Sequence, residues 1–445
     1  MKKHLLLSFI IAVCWLWPAG LLGQTYDFAS AGLSDTAWLG IIRTVNATDA
    51  VTVYHRPDGS QHLALINTLG VVKSVEINST YRVRDMRVVG SEVYMCGSCP
   101  TGGFLAHFPL GGFSSQSSQI TYVTIDPGHS DRLERMVAYT VGGMEKVVAV
   151  GQHEYDTTLV SGLGDTTHAI YGHSIVVEAD FQQGVFQTLR MKADTGHTER
   201  FCDVMATRNY VAVVGGWNDE YLSIHRCDKA DVLGTFDSYS YYHVGPSEGL
   251  SPYCGCAMRG DTIAVSSMAS SDPQLQTFET RLRVFDLATM SMTQAQKTDL
   301  LEKSALGEMV YMPEHLTLLM THEYNDPSGT QMQNIYWLPY ATAPYQARSL
   351  TEPLPGAGFG GLDRLSRDYY VTLGNGCWVM KYLPSDQIPN SCYDIQGWDV
   401  EHITVVMKQD RHKQYLEITT CLCEPLPNIT SDFSFMRVNC SIVNP

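Results

Sequence analysis

Residues 201–217 read FCDVMATRNYVAVVGGW. A short apolar run is followed by a polar turn at Thr207-Arg208-Asn209, then by a strongly β-prone run that closes on two glycines and a tryptophan. The second run has the composition and length of a largely buried strand, not of a helix. Related runs stand at 93–97 (VYMCG), 147–151 (VVAVG), 263–267 (IAVSS), 316–321 (LTLLMT) and 369–374 (YYVTLG). Each closes on a small residue. The closing positions 97, 151, 215, 267, 321 and 374 recur at intervals of 52 to 64 residues. A shorter apolar element precedes each run, centred on Met86, Met136, Val204, Cys256, Met309 and Leu362, and two more alternating runs follow it.

Four strands recurring every fifty-odd residues predict a β-propeller, because a lone four-stranded meander cannot cover both of its faces but blades stacked radially can. The expected fold is therefore all-β: a β-propeller of four-stranded blades, seven of them, with eight as the alternative count. A pair of β-sandwiches with coincidental spacing is the competing architecture. The repeat runs from about residue 80 to residue 408, and residues 26–77 read as a first blade with a divergent inner strand. The expected organisation is a leader over 1–23, a propeller over 24–423 and a C-terminal tail over 424–445.

Composition narrows the setting. The chain is 44% hydrophobic and 17% charged, enough apolar residue for a large core. Its formal charge of −16, with no basic patch, disfavours nucleic acid and anionic membranes as partners. Lys2 and Lys3 precede the apolar run 5–17, and Pro18 and Gly20 break it, the pattern of a secretory leader. No later run is long enough to span a membrane. The expected location is thus secreted or extracytoplasmic, in a periplasm or at a cell surface. Of the 12 cysteines, Cys14 lies in the leader, so pairing of the others is expected after export. The candidate pairs are Cys96 with Cys99; Cys202 with Cys227 or with Cys254 or Cys256; Cys377 with Cys392; and Cys421 or Cys423 with Cys440.

No nucleophile elbow, zinc-protease helix or phosphate loop is present. No cofactor is expected and no metal site is assigned. Two constellations carry what functional signal there is. The first is a set of polar and aromatic residues after the second strand of three units: His153, Glu154 and Tyr155; Trp217 and Asp219; His322, Glu323 and Tyr324. Equivalent loops of a propeller share a face, and such a face offers rings for stacking and carboxylates for hydroxyl groups. The second is a set of acids at the inner strands, Asp85, Asp203, Glu308 and Asp394, with Glu134 displaced by one residue. These are expected to line the central channel, as a ring of negative charge or as acceptors for backbone amides of their own blades.

The run Val213-Val214-Gly215-Gly216 with Trp217 resembles the double-glycine strand end of kelch-type propeller repeats. The resemblance implies a propeller fold and a leaning toward binding over catalysis. The expected function is a secreted propeller that recognises a glycan or a protein on its loop face. The alternative is an extracellular glycosidase or lyase on the same scaffold, which would need two carboxylates across one cleft.

Overall fold

The computed structural model describes residues 25–381, with gaps of which the longest is 243–254, together with 417–418 and 433–443. Among these residues the structure is all-β apart from one short 3-10 helix, Leu110–Ser114. Five consecutive four-stranded antiparallel sheets resemble propeller blades, each a meander in chain order. The first sheet begins at Trp38–Thr44, the second at Arg82–Val89, the third at Ser130–Val141, the fourth at Glu199–Ala206 and the fifth at Gly255–Arg259. A five-stranded sheet follows, starting with Ser304–Met312. In a further grouping, the N-terminal strand Thr25–Leu33 lies between Gly376–Lys381 and Phe433–Val443.

The unbroken apolar runs are explained by burial on both faces. In the second sheet Val93 and Met95 pack toward the first sheet, while Tyr94 and Cys96 pack toward the third. Val147 and Ala149 face the second sheet, and Val148 and Val150 the fourth. Val211 and Val213 face the third, and Ala212 and Val214 the fifth. Side chains alternate between faces along a strand. A strand sandwiched between two sheets therefore has no polar side to show. Each fully buried valine contributes roughly 1.5–3 kcal/mol of apolar burial.

The closing glycine has a specific steric origin. The first strand of each of the first four sheets carries a bulge, between Val83 and Asp85, Leu133 and Arg135, and Phe201 and Asp203 in the second to fourth. Gly97, Gly151 and Gly215 sit on the rung beside it, opposite Val83, Leu133 and Phe201. A Cβ on Gly97 would lie 1.9 Å from the Arg82 carbonyl oxygen, and one on Gly151 would lie 1.9 Å from that of Arg132. Only a residue without a side chain tolerates so close a backbone approach. In the first sheet the glycine changes strands: Gly40 is the bulge residue, and Tyr54 takes the rung and stacks on His62. In the sheet that starts at Ser304, the corresponding rung is Leu306 with His322, one residue beyond the position expected from the repeat.

Two of the expected disulfides do not form. Cys96 and Cys99 are thiols on one strand, three residues and about 10 Å of extended chain apart, beyond disulfide reach. Cys227 is a buried thiol whose Sγ donates to the Val211 carbonyl at 3.6 Å, which removes it as a partner for Cys202. Of the other candidate pairs, all but Cys202 with Cys256 include a residue outside the described ones. The leader and half of the tail also lie outside them. No helix among the described residues is long and apolar enough to cross a membrane.

Candidate functional site

The bulges aim a row of side chains inward from the first strands of the sheets. Counting rungs from each bulge, Asp85, Arg135, Asp203 and Glu308 occupy the same position. Three of the acids named from the sequence are therefore placed together. Glu134 is itself the bulge residue and pairs outward with Arg132 at 2.5 Å, so Arg135 and not Glu134 takes the inward place. Asp394 lies outside the described residues.

Of the two arrangements the sequence allows, the ring of negative charge is not formed by Asp85 and Glu308, which stand in an arginine–carboxylate network. Arg43 Nη2 lies 2.7 Å from Asp85 Oδ1 and 3.0 Å from Glu308 Oε1, joining strands of three sheets. Its Nε donates to the Met86 carbonyl at 2.9 Å, and Nη1 to that of Ile42 at 2.8 Å. Arg87 Nη1 reaches Asp85 Oδ1 at 2.8 Å, and Arg135 Nη1 reaches Glu308 Oε1 at 3.6 Å. Like charges brought this close require counter-charge, and the arginines supply it.

Backbone amides complete the acceptors. Asp85 Oδ1 accepts from its neighbour Met86 N at 2.8 Å, and Oδ2 from Met136 N of the next sheet at 2.9 Å. Asp203 Oδ1 accepts from Val204 N at 2.8 Å. Asp363, which repeat counting does not single out, uses the same device: Arg364 N donates to Oδ1 at 2.8 Å. Thr44 N and Oγ1 in the first sheet donate to its Oδ2 at 2.8 and 2.9 Å. Asp85, Asp203 and Asp363 thus bond amides of their own sheet, the second of the two arrangements the sequence allows. Asp85 and Asp363 in addition bond amides of a different sheet.

Electrostatics separates the carboxyls. Burial pushes the Asp85 carboxyl upward, but Arg87, Arg43 and Arg135 outweigh it and hold the group below the ordinary range. Glu308 is likewise buried, yet held low by Arg43, Arg135 and Arg87. Asp203 is 8% exposed and more weakly countered by Arg135 and Arg87, so burial prevails and pushes its pKa up to about 6. A carboxyl with a raised folded pKa stabilises the fold most below its unfolded pKa and loses that contribution as pH rises through about 6. Asp203→Asn keeps an acceptor for Val204 N and removes the charge. Its melting temperature should therefore exceed that of the unaltered protein at pH 8, with the gain shrinking toward pH 4.5. Thermal unfolding across that range checks it, and a gain that grows on acidification would contradict the assignment.

The second constellation is placed differently from the expectation of loops. His153, Glu154 and Tyr155 lie within the strand Met144–Val160, His322, Glu323 and Tyr324 within Thr317–Asn325, and Trp217 at the end of Tyr210–Trp217. Asp219 is outside the described residues. The reason is cross-strand pairing that continues past the closing glycine: Trp217 pairs with Tyr221, and Tyr324 with Met332. The two His-Glu-Tyr runs are also out of register. His153 is two rungs beyond the glycine position, whereas His322 occupies that position.

In the third sheet the pairing goes furthest. Ser130–Val141 covers Met144–Val160 only up to Glu154, and Val185–Met191 covers Thr166–Asp180 only down to Ser174. From Tyr155–Tyr171 to Val160–Thr166 the two long strands pair with each other alone in the described ladders, as a two-stranded ribbon. The composition of this segment, rich in Gly, Thr and Asp, suggests a loop, but the alternation Thr157, Leu159 and Thr167, Ala169 supports strand pairing. At the root of the ribbon, His153 Nδ1 is hydrogen-bonded to Asp131 Oδ1, whose carboxyl group is fully buried. Among the described residues, no three His, Cys, Asp or Glu side chains converge as a metal cage.

No family model matches the chain, and no curated protein matches it. Solved structures resemble it at low identity. The β-propeller domain of the Trilobed protease from Pyrococcus furiosus is 10% identical with a TM-score of 0.40, covering 76% of this chain and 92% of its own. The WD40 domain of SCAP from fission yeast is 8% identical with a TM-score of 0.36, covering 79% and 98%. AofleA from Arthrobotrys oligospora is 9% identical with a TM-score of 0.39, covering 75% and 92%.

Proposed function

We propose that this chain is an exported, seven-bladed propeller that binds a glycan or protein ligand on the side from which the ribbon of the third sheet extends. The observation that carries this reading is the ribbon itself. Its rungs set Tyr155 against Tyr171, with His153 against His173 one same-face step below. A paired strand presents such residues in fixed register at small entropic cost, as a binding surface requires. The count of seven takes the five-stranded sheet and the terminal grouping as blades. It is supported by Arg43 meeting Glu308 and by Thr44 meeting Asp363, which join the first sheet to the last ones. Export rests on the leader pattern at 1–23, and the kelch likeness on the glycine pair alone.

Binding is favoured over glycoside cleavage by the state of the central acids. A glycosidase needs one carboxyl poised as an acid beside an open cleft. Asp85 and Glu308 are instead held ionised between guanidinium groups and tie sheets together, and Asp203, whose pKa is raised to about 6, is itself buried.

A glycan and peptide array probed with the mature protein tests the proposal. Tyr155→Ala should weaken whatever ligand is found by at least tenfold, about 1.4 kcal/mol, while leaving the melting temperature within a few degrees. Retained affinity in that variant would move the site off the ribbon. Hydrolysis of an arrayed glycan would replace binding with catalysis.

A further inference from the structure

Two arginines of the inward row have more donors than the acids around them accept. Arg135 Nη1 stands 3.6 Å from Glu308 Oε1, an ion pair too long for a hydrogen bond, and no described residue accepts a hydrogen bond from this guanidinium. Arg87 places only Nη1 on protein acceptors, Asp85 Oδ1 at 2.8 Å and the Met86 carbonyl at 2.9 Å. Its Nε and Nη2 have no acceptor among the described residues. A guanidinium carries several N–H donors, and one withdrawn from bulk water needs acceptors for them. Both side chains can still be reached, Arg135 at 19% and Arg87 at 24% exposure.

Asp203 and the fifth sheet bound the space beside these donors. The Asp203 carboxyl lies within electrostatic reach of Arg135 and Arg87. Among the described residues, however, it accepts a hydrogen bond from Val204 N alone, through Oδ1, and forms no ion pair. Guanidinium and carboxyl are therefore separated by more than the roughly 4 Å of an ion pair. At the corresponding place in the fifth sheet stands Gly255, one residue before Cys256 as Asp203 is one before Val204, and it brings no side chain.

We infer that Arg135 and Arg87 form a binding site for a small oxyanion beside Asp203, where the first strands of the second, third and fourth sheets converge. A carboxylate, sulfate or phosphate group presents its oxygens at the spacing of a guanidinium fork, and charge-assisted bonds of this kind are the strong ones. Asp203 tunes the site. Its ionised carboxyl opposes a bound anion, whereas its protonated form can donate to one. Its pKa is pushed up to about 6, so affinity falls as pH rises through that value. Asp85 and Glu308 face the same arginines but are held ionised by them, and so add no change over this range. The site involves no residue of the ribbon and does not rest on the ligand proposed there.

The full chain is titrated by calorimetry with sulfate, phosphate and acetate at constant ionic strength. One saturable anion per chain is expected, and the tightest of the three tells a tetrahedral from a planar ligand. Sulfate, whose charge does not change between pH 5 and pH 8, should bind more tightly at pH 5. Arg135→Gln should weaken uptake by roughly tenfold or more. Asp203→Asn, which keeps an acceptor for Val204 N, should tighten sulfate by roughly 3- to 10-fold at pH 8 and by less at pH 5. That gain is the decisive readout if Arg135→Gln unfolds, because a carboxyl with a merely structural role would not produce it. Tyr155→Ala should leave anion uptake unchanged, which separates this site from the ribbon. Absence of saturable uptake of all three anions, full affinity in a folded Arg135→Gln variant, or unchanged sulfate affinity of Asp203→Asn at pH 8 would overturn the site.

Discussion

Gly151→Ala should destabilise the protein by about 3 kcal/mol, the upper end of what overpacking a filled interior costs, although it adds a single methyl group. The carbon would land 1.9 Å from the Arg132 carbonyl oxygen and 2.8 Å from the Leu133 Cα. Neither atom belongs to a flexible side chain, so relief requires moving the bulge, and with it Arg135. Gly97→Ala meets the same obstacle at the Arg82 carbonyl and should behave alike. Gly111→Ala is the control: a Cβ added there would meet nothing within 4 Å, and stability should change by less than about 1 kcal/mol. Urea unfolding of the three variants decides the matter. Equal stability of Gly151→Ala and Gly111→Ala would show that the backbone approach at the bulge is not a constraint on the fold.

Loss of Arg43 is the second large effect. Arg43→Ala should lower stability by about 3 kcal/mol, at the low end for breaking a buried ion pair because each acid keeps one other partner. Asp85 retains Arg87, and Glu308 retains Arg135. Arg43→Lys should recover only part of the loss, since an ammonium cannot also supply the Nε and Nη1 bonds to Met86 and Ile42. The pH dependence gives a second readout. Asp85 and Glu308 have depressed folded pKa values, so their contribution is present above the ordinary carboxylate pKa near 4 and is lost as pH falls below it. Arg43→Ala should flatten that acid limb. A variant as stable as the unaltered protein at pH 7, with an unchanged acid limb, would mean that the network does not hold the sheets together.

The inward position is only half legible in the sequence. Asp85, Asp203 and Glu308 stand out because each precedes an apolar residue at the same point of the repeat. Arg135 occupies that point too, directly before Met136, but a search for acids passes over it to Glu134, the bulge residue one place back. Arg43 enters from two residues further along its strand, and Asp363 from a sheet whose first strand is short. Repeat counting finds residues that hold equivalent positions. It does not find those that reach the same point from inequivalent ones.

The polar runs after the glycine show a similar limit. His-Glu-Tyr occurs twice, yet the ladders place the two copies two rungs apart, so identity of letters does not imply identity of position. Likewise Asp156 to Ala169 resembles a loop in composition because glycine, threonine and aspartate are common in turns. Long pairing between two strands overrides that composition at both ends of the segment.

The sequence by itself determined the all-β character, the fifty-residue unit and the strands buried on both faces. All three follow from local composition and from a hydrophobic pattern repeated within each unit. Tertiary structure alone decided which charges meet, which rungs face one another and which glycines are indispensable. Those depend on where a bulge falls in one strand and on how the next sheet is seated. A one-residue slip there exchanges an arginine for a glutamate at the centre while leaving the hydrophobic pattern intact.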